Sequence, residues 1–495
     1  MKPCTPLYSA LLILACNGAA FAAEEVTGPE ADSNEPVRVA PADGSQPPIT
    51  SEFFNKLTLQ GGYGPENSEI GNGRESFYSL RYEPSFVWYS PEKRWAKWQV
   101  YGRVWLDYDS SQSASLVQNE TNQNYGNGRK QAEGFYAEFR ELYVKRNLLW
   151  DDPRFSVSAG RQRFNDEYGI WWDDSIESVR FNYTDTFSHG FVAVAQKFHN
   201  YNTDVNTLDD TEKNTLYAMG EYAYRWSERN WVGARLMYED DKSNHDINDR
   251  YDFTGVRSGL FFKGDRLTFT PLLSDYHLEV VSLNGKMDRT SLANSRDPSS
   301  KITTHNNNSN GWAVLGEVGK RFDDLAWTPR VALRGGLTDK TDDDTDGFRL
   351  NAIQSDRITQ PGSYSTRLVS SFISLDLRNL QYYGVALETR PTPRSNLDFR
   401  VTDLKLRDQN GALPIRIDAD QRSARNALIN SGGSTGGRSV GQMYDVNYYW
   451  KMFPVAYQGK RFDVNGLVTA SYLNAGNALT SGDDYQISFG VVMSY

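Results

Sequence analysis

The stretch Trp98–Tyr108 reads WQVYGRVWLDY, and its side chains alternate between two kinds of surface. Every second residue from Trp98 onward belongs to the set Trp, Val, Gly, Val, Leu and Tyr, whereas the intervening positions carry Gln, Tyr, Arg, Trp and Asp. A period of two places successive side chains on opposite faces of a β-strand. One face of this predicted strand therefore suits lipid, and the other suits water.

The alternation recurs from about Phe53 onward in windows of about ten residues, with turn residues between them. Thr328–Leu337 and Ile373–Arg378 repeat it, with apolar residues opposed by arginine, serine and aspartate. The last window, Asp484–Tyr495, reads DYQISFGVVMSY and ends on an aromatic residue, as the closing strand of a bacterial outer-membrane barrel does. These windows predict an all-β protein with many strands.

A soluble β-sandwich and a transmembrane barrel both alternate, but they place their apolar residues differently. A sandwich fills its interior with aliphatic side chains, whereas a barrel has an apolar band and aromatic girdles outside and a polar lumen inside. The chain has a mean hydropathy of −0.63, and it is 39% hydrophobic and 13% aromatic. This composition favours a transmembrane antiparallel β-barrel of the bacterial outer membrane.

The lengths of the connections predict the number of strands. Short and long connections alternate, as periplasmic turns and outer loops of a barrel do, if Arg367–Arg390 is one long strand. The barrel then has about 18 strands, an even number as in bacterial single-chain barrels. A barrel of this size encloses an aqueous channel.

The beginning of the chain predicts export. Lys2 precedes an apolar run, Leu7–Phe21, and Ala20-Phe21-Ala22 matches an A-x-A cleavage site. We therefore expect residues 1–22 to be a cleaved signal peptide, residues 23–52 a disordered acidic leader, and residues 53–495 the outer-membrane barrel. No other stretch approaches the roughly 20 apolar residues that a membrane helix needs.

Cys4 and Cys16 are the cysteines of the chain, and both lie within the signal peptide. The mature chain would therefore contain no disulfide. Ile13-Leu14-Ala15-Cys16 resembles a lipobox, so lipidation at Cys16 is the alternative to cleavage near Ala22.

Several charged residues of the predicted strands fall on the inner wall. Strand parity assigns these to the lumen: Arg103, Asp107, Arg140, Arg180, Arg235, Arg330, Arg334, Asp376, Arg378 and Arg400. Most are arginines, although the net charge of the chain is −10. Two interpretations stay open: the arginines pair with lumen acids and stiffen the wall, or their excess attracts anions into the channel.

Catalytic and metal motifs are weak. The five histidines show neither HExxH nor paired-His spacing, and no GxSxG is present. We therefore predict no catalytic residues, no metal ligands and no cofactor. The stretch 342–347, DDDTDG, matches the opening of a calcium loop, but its twelfth position is Ile353 where a bidentate Glu is needed. A solvated loop is the favoured interpretation, and calcium binding stays open.

Three neighbouring segments carry a resemblance to a known family. They are FRELYVKRN (Phe139–Asn147), FSVSAGRQRFNDEYGIWWDDSIESVRF (Phe155–Phe181) and FVAVAQKFHNYNTD (Phe191–Asp204). Their R-E-aromatic strand, G-R-Q-R strand end, W-x-D-x-x-I-E loop and V-A-Q-[RK]-F strand end follow the order found in the alginate export outer-membrane proteins, which the chain resembles. The resemblance implies an eighteen-stranded monomeric barrel that passes anionic alginate through an arginine-lined constriction containing a few acids.

The resemblance also implies positions for the constriction. It places two arginines at Arg140 and Arg163, with acids at Asp173 and Asp204. Arg357 and Arg367 are similar to later pore arginines of the family. The chain departs from the family at Phe462–Gly466, where a pair of arginines is missing, and at the short turn near residues 454–460, where the family has a long plug loop.

The segment GRQRFNDEYGIWWDD, residues 160–174, conflicts with simple parity. Arg161 and Arg163 share a face with apolar neighbours, so we expect a bulge or twist near Gly160 to turn at least one of them. We interpret Trp171 and Trp172 as girdle or loop-packing residues, and Asp173 as an acid that faces the passage beside Arg163.

The predicted function is an outer-membrane channel that passes an anionic polysaccharide, alginate or a similar uronate polymer, from the periplasm to the cell surface. The alternative is a general or oligosaccharide-uptake porin of the same fold, and a barrel enzyme or adhesin is a third interpretation. We expect a monomeric barrel in contact with the lipid bilayer and lipopolysaccharide, served by periplasmic export scaffold proteins. We expect no nucleic acid partner.

Overall fold

A computed structural model shows one antiparallel sheet of eighteen strands in the part of the chain that it describes. The described residues are 50–64, 76–91, 95–110, 134–166, 170–199, 201–203, 213–243, 251–265, 267, 272–292, 301–341, 346–350, 353, 377–411, 437–457, 460–479 and 482–495. The strands are β1 (Ser51–Tyr63), β2 (Phe77–Tyr89), β3 (Trp98–Asp109), β4 (Phe135–Leu148), β5 (Asp152–Asn165), β6 (Asp173–Thr184), β7 (Ser188–Ala195), β8 (Thr215–Ser227), β9 (Asn230–Asp241), β10 (Tyr251–Asp265), β11 (Asp275–Leu292), β12 (Ile302–Arg321), β13 (Arg330–Thr338), β14 (Leu380–Thr392), β15 (Ser395–Leu406), β16 (Ser439–Tyr457), β17 (Lys460–Ala475) and β18 (Asp484–Ser494).

The sheet closes into a barrel because β1 pairs with both β2 and β18. The closing register runs from Lys56↔Ser494 to Tyr63↔Ile487. Asn55 and Tyr495 extend it with two backbone hydrogen bonds of 2.8 and 2.9 Å. The predicted all-β barrel is thereby confirmed. The predicted signal peptide and nearly all of the predicted leader lie outside the described residues, and β1 begins at Ser51, slightly before the predicted start.

The two faces of the strands differ as the alternation predicts. On β7, Val192 and Val194 are exposed, whereas Phe191 and Ala193 are buried. Because the sheet is closed, the buried face is the inside of the barrel and the exposed apolar face is the surface that lipid covers. Within the described ranges, no helix is long and apolar enough to cross a membrane.

The strand count is confirmed, but the predicted strand Arg367–Arg390 is wrong at Leu377–Asn379. Leu377 and Asn379 have φ angles of 54° and 51°, which an extended strand does not accommodate. The Asn379 side chain instead donates to the backbone oxygen of Asp408 and accepts from the backbone N–H of the same residue. β14 therefore begins at Leu380, and residues 354–376 lie outside the described part.

The expected irregularity at Gly160 is confirmed. Gly160 has a φ of 132°, and the pairing of β4 with β5 ends just beyond it, at Leu142↔Arg161. Past this point Tyr201 pairs with β4 instead, since its backbone oxygen accepts from the N–H of Phe139 at 2.9 Å. Arg161 is buried here, as is Arg163, so neither side chain faces lipid.

Gly160→Ala should destabilise the barrel, because a Cβ atom there would lie 2.3 Å from the backbone oxygen of Leu142. We expect the free energy of unfolding to fall by about 1–3 kcal/mol, as is typical of strained backbone positions. Gly102→Ala is the matched control, since its nearest neighbour would be a Leu142 methyl at 3.7 Å. Urea unfolding in lipid vesicles measures both variants, and equal midpoints would contradict this account.

Candidate functional site

The predicted constriction residue Arg140 lies at a β-bulge in β4. The pairing of β3 with β4 shifts register next to Arg140, so both Arg140 and Glu141 are buried on the inner wall. Arg140 is 2.7 Å from a carboxylate oxygen of Glu138 and 3.3 Å from one of Asp174. Lys197 lies 3.1 Å from the second oxygen of Asp174. The bulge thus gathers two cations and three acids.

A tryptophan ring positions the guanidinium of Arg140. Trp105 on β3 is 4% exposed, and its ring centre lies 4.2 Å from the guanidinium carbon of Arg140 and 4.0 Å from that of Arg81. The indole N–H donates to Glu83 at 3.1 Å, while Arg81 forms an ion pair with Asp107. Because cation–π contacts strengthen away from water, Trp105 restrains the orientation of both arginines.

Arg163 and Arg103 belong to the same sector of the wall. Arg163 is 5% exposed, and it lies close enough to Arg103 for the two positive charges to interact. Arg103 forms an ion pair of 2.5 Å with Glu141. The structure therefore brings three of the predicted arginines, including Arg140, to neighbouring strands.

The acid next to Arg140 is Asp174, which the sequence analysis missed in favour of Asp173. The alternation of β6 distinguishes the two acids, because Asp174 lies on the same face of the strand as the buried residues Ser178 and Arg180. The side chain of Asp173 is not among those described. Four further predicted residues lie outside the described part: Asp204, Arg357, Arg367 and Asp376.

Arg378 does not lie in a strand as predicted, because β14 begins at Leu380. It occupies a bend and is half-buried. Arg180 is buried on the inner wall, and its guanidinium carbon lies 4.2 Å from the ring centre of Phe191.

The inward arginines of β9, β13 and β15 also contact acids. Their ion pairs are Arg235 with Glu221 (2.6 Å) and Glu279 (2.8 Å), Arg330 with Asp275, Glu317 (2.6 Å) and Glu388 (2.8 Å), Arg334 with Glu317, and Arg400 with Asp398 (2.6 Å). The interpretation that lumen arginines pair with lumen acids accounts for these contacts. An excess of positive charge on the wall is not confirmed.

A segment of the outer connection between β5 and β6 enters the lumen. Trp171 is fully buried, and its indole N–H donates to Glu279 on β11. A Cβ atom on Gly259 of β10 would lie 2.5 Å from the Trp171 ring. Because β10 and β11 are separated from β6 by at least three strands of the barrel wall, the segment reaches them across the interior. Trp171 is thus a loop-packing residue.

Asp166 holds this segment in shape. Its carboxylate accepts hydrogen bonds from the backbone N–H groups of Ile170 (3.1 Å), Trp171 (2.9 Å) and Trp172 (3.0 Å). Burial raises the pKa of the Asp166 carboxyl, while the nearby Arg235 and the backbone N–H groups act in the opposite direction. Trp172 is also buried, and its ring centre lies 5.5 Å from the ring centre of Phe191. It is therefore also a loop-packing residue.

The connection between β13 and β14 enters the lumen as well. Phe348 is buried in one apolar cluster with Trp171. The backbone oxygen of Arg349 accepts from Arg257 on β10 at 2.8 Å, and its guanidinium donates to Ser309 on β12 at 2.9 Å. The two loops therefore meet inside the barrel and form an apolar core there. The sequence analysis did not predict that either loop enters the lumen.

The candidate calcium loop is only partly described, since residues 342–345 lie outside. The Asp346 carboxylate accepts from the backbone N–H of Asn310 at 2.9 Å, and the Asp339 carboxylate accepts from the N–H of Phe348 at 2.9 Å. Among the side chains that the structure describes, no three metal-binding groups lie together. The described acids of this loop therefore act as backbone hydrogen-bond acceptors.

Comparison with known sequences shows which protein family the chain matches. The family model described as alginate export matches residues 107–491. Among curated proteins, the alginate production protein AlgE of Pseudomonas syringae pv. tomato is 27% identical over 251 residues, 48% of each chain. AlgE of Azotobacter vinelandii is 27% identical over 337 residues, 63% of this chain and 66% of the relative. The matches thus span about half to two thirds of the curated relatives.

Comparison with solved structures shows which known barrels have a similar architecture. OccAB3 of Acinetobacter baumannii matches with a TM-score of 0.52 and 12% identity, over 90% of this chain and 99% of the other. The outer-membrane protein OpdK of Pseudomonas aeruginosa matches with a TM-score of 0.51 and 10% identity, over 90% and 98%. At these identities the likeness concerns the architecture of the barrel alone.

Trp171→Ala should loosen the inward segment and raise the single-channel conductance in planar bilayers. The substitution removes the hydrogen bond to Glu279 and the contact with Gly259, and truncation of a buried aromatic residue costs the packed state about 3–5 kcal/mol. Trp150→Ala is the control, because Trp150 is 98% exposed in the turn between β4 and β5. An unchanged conductance in folded Trp171→Ala would show that this segment does not restrict the passage.

Proposed function

Because this chain belongs to the alginate export family, we propose that it passes alginate, or a similar uronate polymer, through the bacterial outer membrane to the cell surface. The observation that carries the proposal is the overlap of two features. The family match covers residues 107–491, and the strands in that range carry Arg140 and Arg163 on the buried face of a closed barrel.

The arginines suit a polymer of uronates. Each sugar of such a polymer carries one carboxylate, and the planar guanidinium group binds a carboxylate through two hydrogen bonds. Arg140 already contacts Glu138 and Asp174, so a substrate carboxylate exchanges with a resident acid. This exchange keeps each site weak enough to release the polymer, as conduction requires.

The proposed substrate contacts extend beyond Arg140 and Arg163. The constriction set includes Asp173, Asp204, Arg357 and Arg367, which the family resemblance supports. The proposed lumen-lining set is Arg103, Arg180, Arg330, Arg334, Asp376 and Arg378. Together these residues would offer the polymer a series of carboxylate sites separated by acids.

The inward loops set a condition on transport. Trp171 and Phe348 occupy part of the lumen, so passage of a polymer requires these loops to move at least in part. The hydrogen bond between Trp171 and Glu279 is one contact that such a movement breaks. We assign the protein a transport role without catalysis, as a single barrel that contacts lipid, lipopolysaccharide and periplasmic export scaffold proteins.

A general or oligosaccharide-uptake channel is the second candidate. The observation that favours it is the pairing of inward arginines with acids, as in Arg330 with Glu317 and Glu388, since a neutralised wall selects weakly for anions. A passive pore has no built-in direction. Deletion of the gene separates the two candidates: loss of secreted polymer supports export, and loss of growth on uronate oligomers supports uptake.

Planar-bilayer recording with Arg140→Ala and Arg163→Ala tests the constriction. We expect weaker anion preference and a block by polyuronate that is about tenfold weaker, because a hydrogen bond to a charged group contributes about 1.5–3 kcal/mol. Arg154→Ala is the matched control, since Arg154 on β5 is exposed and paired with Asp152. Unchanged selectivity in both inner-wall variants, together with no polyuronate block of the unsubstituted channel, would refute the proposed constriction.

A further inference from the structure

Strands β15, β16 and β17 carry a polar row on their inward faces. Asp398 pairs directly with Asn447 across β15 and β16, and Asn447 pairs with Thr469 of β17. Thr469 in turn pairs with Ser488 of β18. Residues directly opposite in an antiparallel pair point to the same face, so their side chains form one continuous row.

Several polar atoms of this region are buried without a hydrogen-bond partner in the protein. Asn447 is 1% exposed, and neither its amide oxygen nor its amide nitrogen has a partner. Asn465 lies four residues before Thr469 on the same face of β17. It is 2% exposed, and its amide oxygen has no partner. Buried polar groups in folded proteins are nearly always paired. The region is therefore suited to a polar occupant.

The charge of the region excludes an anion as the preferred occupant. Asp398 forms an ion pair with Arg400 (2.6 Å), and Lys451 forms one with Asp463 (3.2 Å). Asp445 adds a third carboxylate, which accepts from the hydroxyl of Ser471. Three carboxylates thus face two cations on this wall.

A metal ion is not the preferred occupant either. No three metal-binding side chains lie together among the described residues. The Asn447 amide can both donate and accept, and the Asp398 carboxylate accepts. A sugar hydroxyl has the matching chemistry, because it donates one hydrogen bond and accepts others.

We propose that Asp398 and Asn447 of this row, together with Asn465 on the same face of β17, bind the hydroxyl groups of sugar rings that pass through the barrel. The proposal rests on the proposed function, since it takes the polymer to be a polysaccharide. Two sectors of the wall then bind different groups of the polymer. Its carboxylates contact the arginines of β3–β5, and its hydroxyls contact the amides and acids of β15–β17. Neutral saccharides bind the second sector without the first.

Single-channel recording with two probes tests whether hydroxyls and carboxylates bind to different sectors of the wall. The probes are a neutral mannose hexasaccharide and a mannuronate hexamer, and each is added to the unsubstituted channel and to Asn447→Leu. We expect block by the neutral probe to weaken about tenfold in Asn447→Leu, from the loss of two hydrogen bonds, with ion selectivity unchanged. Gln99→Leu is the matched control, because Gln99 is a buried inward amide on β3.

The outcomes separate this proposal from the proposed function. Block by mannuronate but not by neutral mannose in the unsubstituted channel overturns the hydroxyl site and leaves alginate transport standing. Unchanged neutral block in both Asn447→Leu and Asn465→Leu also overturns it, and means that the row holds water only. If Asn447→Leu does not fold, Asn465→Leu alone decides. Absence of block by either probe overturns both proposals.

Discussion

Closure of the sheet is the constraint on which the rest of the structure depends. Lipid offers no hydrogen-bond partners, so a strand at an open edge would leave its backbone N–H and carbonyl groups unpaired. The pairing of β1 with β18 removes that edge. Once the sheet is closed, every strand has an inside and an outside, and the period-two sequence divides into an apolar surface and a polar wall. The position of each inward charge follows from that division.

The polar wall then imposes its own rule, because a charge that is removed from bulk water needs a partner. Arg140 has Glu138 and Asp174, and Arg330 has three acids. Trp105 adds a cation–π contact that restrains Arg140. Under the proposed function, a substrate carboxylate therefore meets an arginine that is already oriented and already neutralised. The affinity for that carboxylate is lower than at an arginine without an acidic partner, but the guanidinium group is already in the orientation for binding.

The fold was largely predictable from the sequence, since alternation, connection lengths and the aromatic end of the chain all reflect local rules. Even the irregularity at Gly160 was predictable, from the conflict between parity and the charges of Arg161 and Arg163. The contacts of the candidate site were less predictable from the sequence than the fold. The choice between Asp173 and Asp174 depends on the phase of β6, and the contact of Trp171 with Glu279 joins residues that are far apart in the chain. Periodicity carries no information about such contacts.

The apolar core inside the lumen explains inward residues that break the polar-wall rule. Phe191 and Met219 face the interior and are buried there, although a water-filled channel gives such side chains no stabilisation. Trp171 and Phe348 of the inward loops cover them in one cluster. Withdrawal of both loops would expose this surface to water, at a cost of about 25 cal/mol for each Å² of apolar area. Complete withdrawal is therefore unfavourable. Under the proposed function, the loops move only in part during transport, or the passing sugar rings cover the apolar surface.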